Sequence, residues 1–227
     1  MTSVLRTVAL IPAFNEADTI QDVVRGVRPS VEHVVVVDDG STDATAALAA
    51  QVGAEVVARA GERGKGHAIR AGLAAIAGRG FTHVLILDGD MQHLPSEAPL
   101  LVDAAARTGA EVVLGVRRFD REAMPASRYH ANRIGSRALS SFVGVTLPDT
   151  QCGFRMFEMA ALQPLRFHGR GYEIETEMLV KLSRRGAQIV TVPVTAVYGR
   201  RQSKLRPVRD TTRTCFLAVY YRFIERL

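Results

Sequence analysis

Three short apolar runs, each ending in a polar cluster, organise the first part of the chain. Thr7-Val8-Ala9-Leu10-Ile11 gives way to Pro12-Ala13-Phe14-Asn15-Glu16. Val34-Val35-Val36-Val37 ends in Asp38-Asp39-Gly40-Ser41-Thr42-Asp43, and Val84-Leu85-Ile86-Leu87 ends in Asp88-Gly89-Asp90. Runs that short and that apolar read as strands buried on both faces. Amphipathic stretches follow them: Ile20, Val23, Val24 and Val27 keep helical spacing, and Ser41 or Thr42 is placed to cap a helix carrying Leu48 and Val52, with Asp43 in its first turn. Val56–Ala58 predicts a further strand, Lys65–Ala77 a helix, Pro95–Arg107 a helix and Val112–Val116 a strand. This alternation implies an α/β fold with a mostly parallel central sheet flanked by helices. In such a sheet the carboxyl ends of the strands share one edge, where ligands bind. Topology therefore brings Asn15-Glu16, Asp38-Asp39 and Asp88-Asp90 together.

Beyond Arg117 the periodicity changes. Ser127–Phe142 looks helical and arginine-rich, Pro148–Gly153 reads as a loop, and Phe154–Phe157 as a short strand. Ile174–Arg185 predicts a helix, Gln188–Val194 a strand, and residues 199–207 a basic loop. The last stretch, 208–227, predicts an amphipathic helix with Phe216, Tyr220, Phe223 and Leu227 on one side. No Gly/Ser-rich linker, internal repeat or low-complexity segment divides the chain. It reads as one domain: residues 1–117 as a nucleotide-binding half, 118–207 as an acceptor half, and 208–227 as the terminal helix.

Composition, with 47% apolar residues and no tryptophan, is that of an ordinary globular enzyme. No run reaches the roughly 18 apolar residues of a membrane span. The N-terminus enters a strand almost at once, so no signal peptide is expected, and the expected location is the cytoplasm. Cys152 and Cys215 form neither a disulfide framework nor a metal spacing. Charge is informative in its distribution. Residues 200–227 hold eight Lys or Arg against Asp210 and Glu225 and so carry the whole net charge of +6. Arg117–Arg137 holds six arginines against Asp120 and Glu122. Basic clusters contact phosphates, nucleic acid or membrane surfaces; no nucleic-acid motif accompanies these, which argues against nucleic acid as partner.

Asp88 and Asp90, split by one glycine at a strand end, can both charge only where something positive meets them. Magnesium-type ions are commonly held by one or two carboxylates plus substrate phosphates, so the pair suggests a metal bridging the protein to a diphosphate. Gln92 and His93 lie close enough to join; Gln92 is the preferred ligand, and His93 is expected to cap the next helix. Gly61-Glu62-Arg63-Gly64-Lys65-Gly66 is neither a P-loop nor a dinucleotide fingerprint, because Gly66 follows Lys65 and Ile69 stands at the third glycine position. It reads as a turn before a helix, where an anion could sit. Asp149–Arg155 is, by composition, a polar turn.

The motifs Pro12–Glu16, Val36–Asp43, Gly64–Gly66, Asp88–Gln92 and Asp149–Phe154, in that order, resemble a family-2 glycosyltransferase, and more narrowly the dolichyl-phosphate mannosyltransferase and glucosyltransferase branch. Gly171–Glu177 and Ser203–Asp210 are similar to bacterial members of it. The resemblance implies a GT-A fold and a nucleotide-sugar donor. Residues matching Pro12, Ala13, Asn15, Glu16 and Asp39 then line base and ribose, and Gly40, Lys65 and Gly89 complete the donor-binding set. Those matching Asp88, Asp90 and Gln92 hold Mg2+ or Mn2+ on the donor diphosphate, and Lys204 approaches the phosphates from the far side. Two departures stand out: no C-terminal membrane-spanning helices, and Gly153 where some relatives carry a carboxylate before Phe-Arg.

Glycosyl transfer passes through an oxocarbenium-like transition state while negative charge grows on the leaving diphosphate. A hydroxyl acceptor needs a general base; a phosphate acceptor is already anionic and needs cations, for which Arg117 and Arg133 are the first choices. The expected catalytic set is Asp88, Asp90, Arg117, Arg133, Asp149 and Lys204. The expected activity is inverting transfer of a hexose from UDP-glucose or GDP-mannose to a polyprenyl phosphate. The alternatives are a soluble hydroxyl acceptor, or a non-catalytic module binding nucleotide sugar or a membrane surface. A sugar nucleotidyltransferase would need a glycine-rich loop where Pro12–Asn15 stands. The basic terminal helix is expected on an anionic membrane surface as a peripheral contact, or against the domain or a second subunit as a homo-oligomer.

Overall fold

A computed structural model describes residues 5–117, 136–137, 140–141, 149–150, 152–197 and 220. Its seven strands are β1 (Thr7–Ala13), β2 (His33–Asp38), β3 (Glu55–Ala58), β4 (His83–Ile86), β5 (Val112–Arg117), β6 (Arg155–Glu158) and β7 (Ile189–Val194). They form one sheet in the order β3-β2-β1-β4-β6-β5-β7. β1 runs parallel to β2 and β4, β2 to β3, and β5 to β7; β6 alone is antiparallel to its neighbours, β4 and β5.

Alternation along β1 sends Val8 and Leu10 to one apolar core and Ala9, Ile11 and Ala13 to the other. The helix α3 (Lys65–Ile76) covers the first face, with α6 (Glu173–Arg184); α1 (Ile20–Val27) and α4 (Ala98–Thr108) cover the second. Helices on both faces explain why these strands are apolar at every position rather than at every other one. Two further short helices are α2 (Thr45–Gln51) and α5 (Met159–Leu162).

The structure refines several expectations. β1 runs on through Pro12 to Ala13, where its ladder with β4 has already ended at Leu10–Ile86. The helix after β2 starts only at Thr45, and Asp43 Oδ1, not Ser41 or Thr42, accepts from the Thr45 N–H at 3.0 Å. Pro95–Glu97 is a separate 3-10 turn before α4. The segment 127–142 and the terminal helix fall almost entirely outside the described residues. No helix among the described residues is long and apolar enough to cross a membrane.

The antiparallel strand decides the site. A parallel β6 would start at the far edge of the sheet. Running backwards, with Arg155 opposite both Ile86 and Leu114, it delivers the loop before it to the carboxyl ends of β4 and β5.

Candidate active site

The three polar clusters meet at this edge and are tied to one another. The Asn15 N–H donates to Ser41 Oγ at 3.0 Å, and Asn15 Oδ1 accepts from the Thr42 N–H at 2.8 Å. The Glu16 N–H donates to Thr45 Oγ1 at 2.8 Å, and Thr19 Oγ1 donates to the Gly89 carbonyl at 2.6 Å. Asn15 (φ 52°) and Met91 (φ 59°) both lie in the left-handed region, one beyond each of β1 and β4. Strained backbone of this kind collects at functional sites.

Asp39 is buried, its N–H on the Ala13 carbonyl at 2.9 Å. Both its oxygens are engaged: Oδ1 accepts from Arg59 Nε at 2.8 Å and Oδ2 from the Gly64 N–H at 2.6 Å. Arg63 lies 4.7 Å over the ring of Phe14.

The two aspartates after β4 differ. Asp88 pairs with Lys65, Oδ1 to Nζ 2.5 Å, and the same Nζ stands 2.7 Å from Glu175 Oε1. Burial alone would depress the Lys65 ammonium; Asp88 and Glu175 outweigh it and hold it above its ordinary range. Likewise burial would raise the Asp88 carboxyl, but Lys65 holds it below the usual carboxylate range. Asp90 has no such partner: among the described residues no cationic side chain reaches ion-pair distance, and its carboxylate accepts the Gln92 N–H at 3.0 Å. Burial, and then the charge of Asp88, push it up to about 6.

The loop before β6 packs against this pair. A Cβ at Gly153 would stand 2.2 Å from Asp88 Oδ2, so the glycine leaves the space that the carboxylate fills. That is the physical reason this chain has no side chain there. Arg155, 2% exposed, spans the region with three donations, to the carbonyls of Cys152 (2.7 Å), Thr150 (2.7 Å) and Glu175 (2.8 Å). Arg117 grips Asp149 with two donations, 2.6 and 2.9 Å, and the Asp149 side chain has no exposed surface. The two therefore meet as a buried pair. Asp149 does not face solvent as a base, and the charge of Arg117 is largely answered.

The resemblance puts Lys65 in the donor set, and the turn before α3 is one where an anion could sit. The structure places Lys65 in the buried triad, and the Gly66 N–H goes to the Arg170 carbonyl at 3.0 Å. Cβ atoms at Gly64 and Gly66 would lie 2.2 Å from the carbonyl oxygens of Arg170 and Gly169, so this turn is shaped for the neighbouring loop. His93 caps no helix among the described residues; its ring stacks on Phe154 at 6.0 Å between centroids and touches Cys152 Sγ at 3.6 Å. Burial pushes the Cys152 thiol up to about 12, which removes it as a nucleophile. Arg133 and Lys204 lie outside the described residues.

Glu175, Arg155 and Tyr172 were not singled out by sequence. Lys65 Nζ stands 5.6 Å from the Tyr172 ring centre, and burial pushes that phenol up to about 12. All three are set by long-range contacts that leave no periodic signal; only Glu175 and Tyr172 fell within a motif of the resemblance.

Residues 8–166 match the family described as glycosyl transferase family 2. The chain belongs to that family. The glycosyltransferase is 35% identical over 94% of its length, and 70% of the relative's, to glycosyltransferase AglJ of Haloferax volcanii. It is 31% identical over 85% of its length, and 84% of the relative's, to an undecaprenyl-phosphate mannosyltransferase of Micrococcus luteus. A polyprenol monophosphomannose synthase of Mycolicibacterium smegmatis is 28% identical over 84% of this chain and 77% of its own. Its fold matches glucosyl-3-phosphoglycerate synthase of Mycobacterium tuberculosis, solved in complex with Mn2+, UDP and glucosyl-3-phosphoglycerate. The TM-score is 0.74 at 25% identity, over 97% of this chain and 81% of that one. The fold is thus GT-A, and proteins named as polyprenyl-phosphate mannosyltransferases are among those this glycosyltransferase is similar to.

Proposed function

We propose that this enzyme moves a hexose, with inversion, from a nucleotide sugar to a polyprenyl phosphate with the help of a divalent ion. The observation that carries the chemistry is Asp90, a carboxylate at the shared strand edge with no cationic side chain at ion-pair distance among the described residues. Among the described residues no group of three or more His, Cys, Asp or Glu could hold a metal. A single carboxylate fits an ion of the magnesium type, which takes one or two carboxylates and leaves its other positions to water and substrate phosphates. Asp90 would hold it, with Gln92 beside it, and Asp88, fixed by Lys65, would line the same pocket. When bound, the ion supplies Lewis-acid stabilisation of charge on the departing diphosphate.

Asn15, Glu16 and Asp39 form the wall proposed to face ribose and base. The acceptor reading rests on two points. Relatives at about the same length are named for undecaprenyl-phosphate and polyprenol substrates. In addition, Asp149, a carboxylate before β6, is sealed against Arg117 and is not itself an exposed base for a hydroxyl. A phosphate needs none. With Arg117 answered by Asp149, the acceptor phosphate falls to Arg133 and its neighbours. A polyprenyl substrate places the reaction at a membrane surface.

The test is direct. Protein is incubated with labelled UDP-glucose or GDP-mannose and Mg2+ or Mn2+, with and without undecaprenyl phosphate. Ion-dependent, mild-acid-labile label in the organic phase is expected only with the lipid phosphate. Label passing only to water or to soluble hydroxyl acceptors would overturn the reading.

A further inference from the structure

Backbone contacts on both sides hold the Lys65 ammonium in its place. Lys65 is the first residue of α3, and the turn around it is anchored twice: the Gly64 N–H donates to Asp39 Oδ2 at 2.6 Å, and the Gly66 N–H to the Arg170 carbonyl at 3.0 Å. The loop that supplies that carbonyl is fixed in turn from α6. Glu177, whose side chain has no exposed surface, accepts from the His168 N–H at 2.9 Å and the Gly169 N–H at 2.7 Å, and Lys181 answers its charge at 2.8 Å. Glu173 Oε1 accepts from the Arg170 N–H at 3.0 Å. The start of α3 is thus locked to the helix that carries Glu175, and Lys65 Nζ arrives 2.7 Å from Glu175 Oε1 and 2.5 Å from Asp88 Oδ1. Gly153 closes the other side: a Cβ there would stand 2.2 Å from Asp88 Oδ2 and 3.2 Å from Nζ.

Asp88 and Asp90 are therefore unequal as ligands. An ammonium already on Asp88 repels a divalent ion that seeks the same carboxylate. With its side chain 8% exposed and its backbone pinned, the lysine cannot retract to make room, and leaving Asp88 would part a largely buried charge pair. Asp90 carries no such burden. A magnesium-type ion is content with one carboxylate where substrate phosphates and water fill its other positions. We propose that Lys65 is a positioning residue that withholds Asp88 from the divalent ion in the donor-free enzyme, so that the protein offers the ion Asp90 and not Asp88 and leaves the remaining positions to water and the donor diphosphate. The inference rests on the reading of Asp90 as the carboxylate of the ion, and it adds what sets the balance between protein and donor as its ligands.

Mn2+ binding to the full chain without nucleotide, followed by the electron paramagnetic resonance of free Mn2+ at pH 7.5, tests it. The natural protein is compared with Lys65→Met, Asp88→Asn, the double variant of the two, and Asp90→Asn. In the natural background Asp88→Asn should cost less than about threefold in affinity, while Asp90→Asn should abolish binding. Lys65→Met should tighten Mn2+ about tenfold by releasing Asp88, a gain that damage to the fold does not produce, and the gain should fall below about threefold where residue 88 is Asn. No gain, or the same gain in both backgrounds, would mean that the ammonium acts at most through its charge at a distance, and would overturn the withholding role. Equal losses from Asp88→Asn and Asp90→Asn in the natural background would show Asp88 already serving the ion and overturn it as well. Mn2+ affinity unmoved by Asp90→Asn would instead remove the reading of the ion site itself. Far-UV circular dichroism checks that Lys65→Met is folded; should it not fold, the comparison of Asp88→Asn with Asp90→Asn still decides.

Discussion

Lys65→Met removes the ammonium that stands between Asp88 and Glu175, leaving Arg155 Nη2 at 3.6 Å from Glu175 Oε2, and keeps the aliphatic bulk of the side chain. The ammonium is 2.5 Å from one carboxylate and 2.7 Å from the other, with 8% of the lysine and 10% of the glutamate side chain exposed. Breaking a fully buried pair by deleting one partner costs about 3–5 kcal/mol. Asp88 keeps 29% of its side chain exposed and can rehydrate in part, so the cost falls somewhat below that range, roughly 2–4 kcal/mol. For a domain of this size that is a fall in Tm of roughly 4–16 °C. The loss has a pH signature. In the natural protein Lys65 holds the Asp88 carboxyl below its unfolded value, so the stabilisation is present above that value and is lost only as pH falls through the depressed one. In the variant, burial acts on Asp88 without its cation and raises it. The destabilisation is then fullest at neutral pH and shrinks as the carboxyl protonates on acidification. Differential scanning fluorimetry of both proteins between pH 5 and 8, read against urea titrations at each end, measures it. A variant that melts with the natural protein at pH 7.5, or whose deficit is the same at both ends, would refute the claim that Lys65 is a buried counter-ion.

Three further outcomes follow from the same geometry. Gly153→Ala puts a methyl into the space of Asp88 Oδ2, so it should lower both Tm and transfer activity, and its Tm cost should largely vanish when combined with Asp88→Ala; additive costs in the double variant would separate the two sites. Asp90 is raised to about 6 in the ion-free fold, so its ionisation opposes folding as pH rises through that value. Asp90→Asn should therefore melt higher than the natural protein in chelator at pH 7.5, converge with it below about pH 4, and lose ion-dependent turnover; an unchanged ion response would remove Asp90 from the metal. Truncation after Thr212 should leave the fold intact and abolish sedimentation with anionic vesicles if the basic terminal helix is a surface anchor, whereas a lowered Tm with no vesicle binding by the intact chain would make that helix part of the protein's own packing.

The strand runs, their order in the first half of the chain and the edge where three polar clusters gather were legible in the sequence. Strand alternation and turn chemistry are local, and parallel pairing forces the carboxyl ends to one side. Asp88 and Asp90 stood out as candidate site residues for the same reason, because two acids at the end of a buried strand need something positive to meet them. What the sequence could not assign was the difference between them. In sequence the two acids are near-equivalent; in space Lys65 answers one and leaves the other open. Arg117 reads as a cation for the acceptor phosphate and is found on Asp149, and Lys65 reads as a member of the donor-binding set and is found between two carboxylates. A charged residue leaves the same mark in a sequence whether it faces water or a buried partner brought from a distant segment. Only the tertiary structure sets that partner, and here it did so through the reversed direction of β6, which no periodicity encodes and which carries Gly153 and Arg155 to the edge where Asp88 stands.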